Sequence, residues 1–125
     1  MRSNGEVRLD HVTVVENEAD LTGGLYTESG SGASLTSTYI VYSGGNGDCD
    51  IQGSLSPTTS MDSDGTCGGI DTGTPTIDPL ANNGGFTETR LAFGDGQDAG
   101  QCVSNVDQRD HSRATTDCDI GAVEQ

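Results

Sequence analysis

The chain has 125 residues, enough for one domain and too few for two good cores, and its five basic residues, all arginine, stand against 20 acidic ones for a net charge of −15. That balance excludes nucleic-acid phosphate and anionic lipid as partners, because both would be repelled. With 30% hydrophobic residues, 4% aromatic and no Trp, a compact globule is hard to build, whereas a repetitive stack with a thin apolar interior needs less apolar material per residue. Four cysteines and several β-branched clusters oppose disorder of the whole chain. The charge reads first as solubility and is also compatible with divalent cations, a cationic partner or a salty medium.

Met1, Arg2, Ser3, Asn4 and Gly5 open no apolar signal run, and no later run is apolar and long enough to span a bilayer. Val7 to Asn17 is the clearest strand text. Val7 and Leu9 share one face, and Val12 and Val14 share one after a one-residue offset at Asp10-His11, which predicts two short strands joined by a bend. Ala33 to Ser43 repeats the pattern. Leu35 matches Leu9, Thr38 matches Val12, Ile40 matches Val14 and Val41 matches Val15, all at a shift of 26 residues, a length suited to one coil of a β-solenoid. Leu21 to Tyr26 would form the third face of the coil. Asn17 and Ser43 fall at the same turn, where their side chains are expected to hydrogen-bond from rung to rung.

Gly44-Gly45-Asn46-Gly47-Asp48-Cys49-Asp50-Ile51 approaches a calcium β-roll repeat, but Cys49 occupies an aspartate position and the motif occurs once. Ser60-Met61-Asp62-Ser63-Asp64-Gly65, with Asp71 beyond, approaches an EF-hand loop without the flanking helices. Asp48, Asp50, Asp62 and Asp64 are therefore calcium candidates only in a secondary reading; the primary one is turns leading to cysteines, with no cofactor. From Gly65 to Pro79 the text is Gly, Thr, Asp and Pro anchored by Ile70 and Ile77, which predicts a loop.

Cys49, Cys67, Cys102 and Cys118 contain no C-x-x-C pair, so zinc-knuckle and thioredoxin-type chemistry lack their spacing. Of three pairings, sequence neighbours are favoured: Cys49 with Cys67 and Cys102 with Cys118. Each closes a short loop worth about 3 kcal/mol in the chain-entropy model. Disulfides imply an oxidising, extracellular compartment. Without a leader, that reading predicts a fragment, with an export segment and further coils upstream.

The last part of the chain carries little periodicity and much punctuation. Asp78-Pro79, Asn83-Gly84-Gly85, Thr87, Thr89, Asp98-Ala99-Gly100, Cys102, Asp107-Gln108-Arg109, and Cys118-Asp119-Ile120-Gly121-Ala122 with Glu124 follow one another in order. This series resembles the C-terminal region of the bacterial choice-of-anchor Q domain proteins. The chain departs from that pattern at Phe86, where the family has proline, at Gly94 to Gln97, where it has Ser-Pro-Ala-Ile, and at Asp110, where it has glycine. The resemblance implies a right-handed parallel β-helix of the pectate-lyase-like type in a secreted or surface-displayed protein. Residues 1–60 would then be the terminal coils and 61–125 a loop-rich, disulfide-bonded cap, in one continuous domain. Asp78, Asn83, Gly84, Gly85, Asp98, Asp107, Arg109, Asp119 and Gly121 would hold the cap together. The cap is expected to close the end of the stack, where strand edges would otherwise stay open.

Enzyme chemistry finds little purchase. The pairs Asp48 with Asp50 and Asp117 with Asp119 are spaced to share a face if extended, but each brackets a cysteine. His11 sits at a bend and His111 in the final loop, away from any nucleophile arrangement. The Gly-His-Gly, Asp-Asp and Arg-Ile-Lys motifs of pectin-degrading β-helix enzymes are absent. Arg109 reads as a tie between a carboxylate, Asp98 or Asp119, and loop carbonyls; Arg90 and Arg113 read as solvated. The function that follows is structural, with a carbohydrate or another surface protein as the contact. A carbohydrate-active enzyme and a calcium-stabilised extracellular module are the alternatives.

Overall fold

The computed structural model describes residues 1–3 and 5–125, so Asn4 of the opening stretch lies outside the described residues. Short strands, and no helix among the described residues, carry the fold. In chain order they are β1 (Arg2–Ser3), β2 (Glu6–Asp10), β3 (Thr13–Val15), β4 (Leu25–Thr27), β5 (Gly32–Thr36) and β6 (Tyr39–Val41). The remainder are β7 (Cys49–Ile51), β8 (Ser54–Thr58), β9 (Met61–Asp62), β10 (Asp71–Thr72), β11 (Thr76–Ile77) and β12 (Ala92–Phe93).

Three sheets are parallel throughout: β1-β4-β7, β2-β5-β8 and β3-β6-β9-β10. Among the strands of the described residues, β11 and β12 alone pair antiparallel. The expected register is present, with Leu9 opposite Leu35, Val14 opposite Ile40 and Val15 opposite Val41. A further copy escaped the sequence reading: β8 pairs with β5, Ala33 opposite Leu55. Its spacing contracts because the turns 52–53 and 42–48 are shorter than their counterparts 28–31 and 16–24. Of the expected third face, Leu21 to Tyr26, the strand takes only Leu25 onward, while Thr22 forms an isolated bridge with Gly45.

The chain changes sheet at aligned corners. His11, Ser37 and Thr59 have φ of 52°, 48° and 45°, and Glu16 and Tyr42 have φ of 52° and 57°. Such left-handed residues cost about 1–2 kcal/mol each. The cost is offset by continued pairing, since the N–H of His11 reaches the Thr36 carbonyl at 2.9 Å and that of Ser37 the Thr58 carbonyl at 3.0 Å. The rung-to-rung ladder expected at Asn17 and Ser43 lies instead at the residues after these corners. The Val12 N–H donates to Thr38 Oγ1 at 3.4 Å and the Thr38 N–H to Ser60 Oγ at 3.2 Å. At the expected place the main chain makes the bond: the Gly44 N–H donates to the Asn17 carbonyl at 2.7 Å, and Ser43 Oγ has no partner among the described residues.

Apolar side chains form two clusters on opposite faces of β6. Ile40 points inward with Leu9, Leu25, Ala33, Leu35, Cys49 and Cys67. Tyr39 and Val41 point outward and pack with Met61 and Ile120, flanked by Val15, Ile77 and Ala92. A parallel strand covered on both faces reads as a continuous apolar run, as Tyr39-Ile40-Val41 does. By contrast β8 alternates exposed and half-buried, and Pro57 sits on it because this strand is the edge of its sheet.

This arrangement corrects where the tail sits. Expected over the end of the stack, it lies along the outer face of the β3-β6-β9-β10 sheet, because Tyr39 and Val41 present apolar surface there that must be buried. At the far end it is Cys67 and Ile70 that join the inner cluster. The parallel order also runs past residue 60, through β9 and β10 to Thr72, so the expected loop from Gly65 to Pro79 contains strand residues. Replacing Ile120 with Ala should cost about 2–5 kcal/mol and make residues beyond Thr76 susceptible to limited proteolysis at neutral pH. Fragments that keep the tail as resistant as in the parent would refute the outer-face seal.

Candidate functional site

The acidic residues singled out in sequence turn out to be acceptors for irregular backbone. Asp48 is 1% exposed. Its Oδ1 accepts the Ser43 N–H at 2.8 Å, and its Oδ2 accepts the Ser63 N–H at 2.8 Å and the Ser63 hydroxyl at 2.6 Å. Asp62, fully buried, accepts the Cys67 N–H at 2.9 Å and the Thr72 hydroxyl at 3.2 Å. Asp64 accepts the Asp48 N–H at 3.0 Å and both the N–H and hydroxyl of Thr66. Asp50 stands apart from these and accepts the Gln52 side-chain amide. N–H and hydroxyl donors therefore engage the carboxylates of Asp48, Asp62 and Asp64, and no cluster of three or more potential ligands forms among the described residues. This network binds the turn 42–48 to the turn 63–66, beside the disulfide between Cys49 and Cys67.

The tail motif folds into a second network of the same kind. Asp107 accepts Arg109 Nε at 2.9 Å, the N–H groups of Arg109 and His111 at 2.7 and 3.1 Å, and the Glu124 N–H at 3.1 Å. Arg109 also donates to the carbonyls of Asn83 and Glu124. The expected tie is thus made, but to Asp107 rather than to Asp98 or Asp119. Asp119 is occupied elsewhere, accepting the N–H groups of Asp98 and Gln125, both at 2.8 Å. Arg113 corrects its expected solvation: it is 6% exposed, paired with Glu124 at 2.9 Å and bonded to the Gly121 carbonyl. Arg90 pairs with Glu16 across the seam between tail and sheet. No periodic signal flags Arg113; its partner Glu124 lies in the terminal motif, which is the one hint available.

The glycines of the motif mark close approaches. A Cβ on Gly85 (φ 83°) would lie 2.7 Å from Arg109 Cα, and one on Gly121 (φ 99°) would lie 2.6 Å from Thr13 Oγ1. Gly121 and Ala122 dock the tail onto the sheet, donating to the Ser37 carbonyl at 2.7 Å and to Thr13 Oγ1 at 3.0 Å. Asn83 ties its turn to Thr89, while Asp78 contributes through its N–H to the Leu91 carbonyl. Cys102 and Cys118 are joined beside this lock. Both disulfides are the pairings expected from sequence neighbours, separated by 18 and 16 residues.

The corner residues form the rest of the seam. Gln101 donates its N–H to Ser37 Oγ at 2.6 Å and to Thr59 Oγ1 at 3.2 Å, and Val103 donates to His11 Nε2 at 3.4 Å. The other histidine lies elsewhere, beside Gly84. The carboxylate pairs weighed for catalysis do not converge: Asp48 is buried in its turn with Asp50 apart, and Asp119 is buried while Asp117 is exposed. Asp48 and Asp119 are spent as acceptors for loop N–H groups.

No protein-family model, no curated protein and no solved structure matches this chain.

Burial alone would raise the pKa of Asp107, but the Arg109 guanidinium and the N–H groups of Glu124, Arg109 and His111 hold it below the usual 3.8. Asp64 is held below 3.8 in the same way, with Thr66 and the Asp48 N–H outweighing burial. A carboxylate lowered on folding stabilises fully above its unfolded value and loses that contribution as pH falls through the folded one. Stability should therefore drop below pH 3.8, measured by denaturant melts across that range. Replacing Asp107 with Ala should cost about 3–5 kcal/mol at pH 7, because it leaves the Arg109 charge without its buried partner. A loss within experimental error would show that the network is dispensable.

Proposed function

We propose that this chain forms coils of a right-handed parallel β-helix and serves as a structural region of a secreted or surface-displayed bacterial protein of the choice-of-anchor Q type. The observation that carries the reading is the repeated parallel register of β2, β5 and β8 alongside β3, β6 and β9, with left-handed corners aligned between passes. Two disulfides are compatible with an extracellular protein. No helix among the described residues is long and apolar enough to cross a membrane.

In this reading the tail braces the stack from the side. The outer face of β5 and β8, where Ser34, Ser56 and Thr58 lie, is the open surface for an adhesive or carbohydrate contact. The engagement of Asp48, Asp62, Asp107 and Asp119 by N–H donors favours a structural role over a carbohydrate-active enzyme. It also disfavours a calcium-stabilised module: adding calcium and then a chelator should leave the melting temperature unchanged, and a reversible rise with calcium would restore that alternative.

Peptide mapping of the exported, non-reduced protein tests the compartment. Cys49–Cys67 and Cys102–Cys118 peptides are expected. Reduction should lower stability by about 3 kcal/mol for each bridge. Four free thiols in the exported protein would contradict the extracellular reading.

A further inference from the structure

The His11 corner contains a group that the structural reading leaves unused. His11 is 7% exposed, at the bend between β2 and β3, and its Nε2 accepts the Val103 N–H at 3.4 Å. In the neutral ring the proton therefore sits on Nδ1, which among the described residues has no partner in full hydrogen-bond geometry, although the carbonyls of Asp119 and Gln101 lie toward the ring. Two neighbours are incomplete in the same way: Asp10 Oδ1 and Arg113 Nε are buried without a partner. All three residues line one hollow of about 330 Å³ together with Ser104, Val106 and Gln108.

The contact that opposes lifting is small. Ser104 bonds within its own stretch, Asn105 bonds Arg113 and Val106 bridges Ser112, all inside the tail. The Val103 N–H to His11 is thus the hydrogen bond, among the described residues, that ties Val103 to Val106 to the stacked sheets. Val103 and Val106 are each 43% exposed, so little apolar burial holds the stretch down.

We propose that His11 and Val103 form an acid-released latch: protonation of His11 lifts the Val103–Val106 stretch from the corner between β2 and β3. Two effects act together. A second proton on the ring turns Nε2 from acceptor into donor, so two N–H groups face each other and the bond is lost. The same proton places a cation beside Arg113. The acidic groups around the ring offset this only in part: Glu124 is shared with Arg113 and the N–H groups of Ala114 and Asp119, and Asp10 with Arg8, so burial and the Arg113 charge outweigh their pull. Asp119 spends both carboxylate oxygens on the N–H groups of Asp98 and Gln125.

Burial and, after it, the charge of Arg113 lower the His11 pKa below 6.5, against the opposing pull of the Asp119 and Gln101 carbonyls and Glu124. The closed state thus holds its proton less tightly than the open one. Closure is complete above the ordinary imidazole value and weakens as pH falls below it. The Cys102–Cys118 bridge keeps the lifted stretch attached. The hydrogen bonds of Gln101 to Ser37 and Thr59 involve no group that titrates in this range.

The test is NMR of the full oxidised chain from mildly basic to mildly acidic pH, following the His11 ring and amide exchange. His11 should titrate below 6.5. Protection of the Val103 amide, corrected for intrinsic exchange, should fall across that titration, by about tenfold for each pK unit that closure takes from the ring. The Ile40 amide should keep its protection. His11→Gln should remove the step and His111→Gln should leave it in place. The latch is overturned if His11 titrates at or above the ordinary value, if Val103 protection is equal on both sides, or if the step survives in His11→Gln. Should His11→Gln fail to fold, the ring and amide signals of the unaltered protein decide the matter alone.

Discussion

Burial of β6 on both faces is the constraint on which the rest of this structure depends. Ile40 must be covered from within and Tyr39 and Val41 from without. The inner requirement is met by stacking neighbouring passes of the chain, which aligns Leu9, Leu35, Leu25 and Cys49 around Ile40. The outer one cannot be met by the stack itself, since a flat sheet has nothing to place beyond its own face. The tail meets it, with Ile120 and Ala92 laid against the tyrosine and valine. Tyr39 also anchors the tail through its hydroxyl, which donates to the Asp95 carbonyl at 2.5 Å. Gly96 fits there because a Cβ would run into that same hydroxyl.

A chain that spends so many residues in turns and loops leaves many N–H groups without a ladder partner, and a buried N–H must find an acceptor. Carboxylates supply them. Asp48, Asp62, Asp107 and Asp119 each gather N–H groups from segments that regular pairing does not reach. Much of the acidity thus has a folding role, and the two networks explain why aspartate accompanies the cysteines at Asp48 and Asp119. Arg109 and Arg113 balance the tail network, where several carboxylates meet under partial burial.

Ser37 shows how corner, sheet and tail are joined by one residue. Its N–H continues the pairing to Thr58, its carbonyl accepts from Gly121, and its hydroxyl meets Thr59 and both main-chain groups of Gln101. Its neighbour one pass earlier, His11, holds the corresponding place with a ring that titrates. One corner therefore carries a pH-independent attachment and, beside it, a pH-dependent one.

The primary sequence determined the strand character, the shift that aligns Leu9 with Leu35 and Val15 with Val41, and the cysteine pairing. These are local or rest on nearly equal turn lengths, so they survive as pattern. The copy at Ser54 to Thr58 was hidden because shorter turns break the spacing, although its side chains fit the same place. The terminal motif was legible as an interlocked structure with Arg109 at its centre, but not which carboxylate Arg109 meets, since Asp98, Asp107 and Asp119 differ only in where the loops carry them. Only the tertiary structure decided that the tail lies on the outer face of a sheet rather than across its end. A continuous apolar run such as Tyr39-Ile40-Val41 states that both faces are buried, and the identity of what buries each face is a property of contacts distant in sequence.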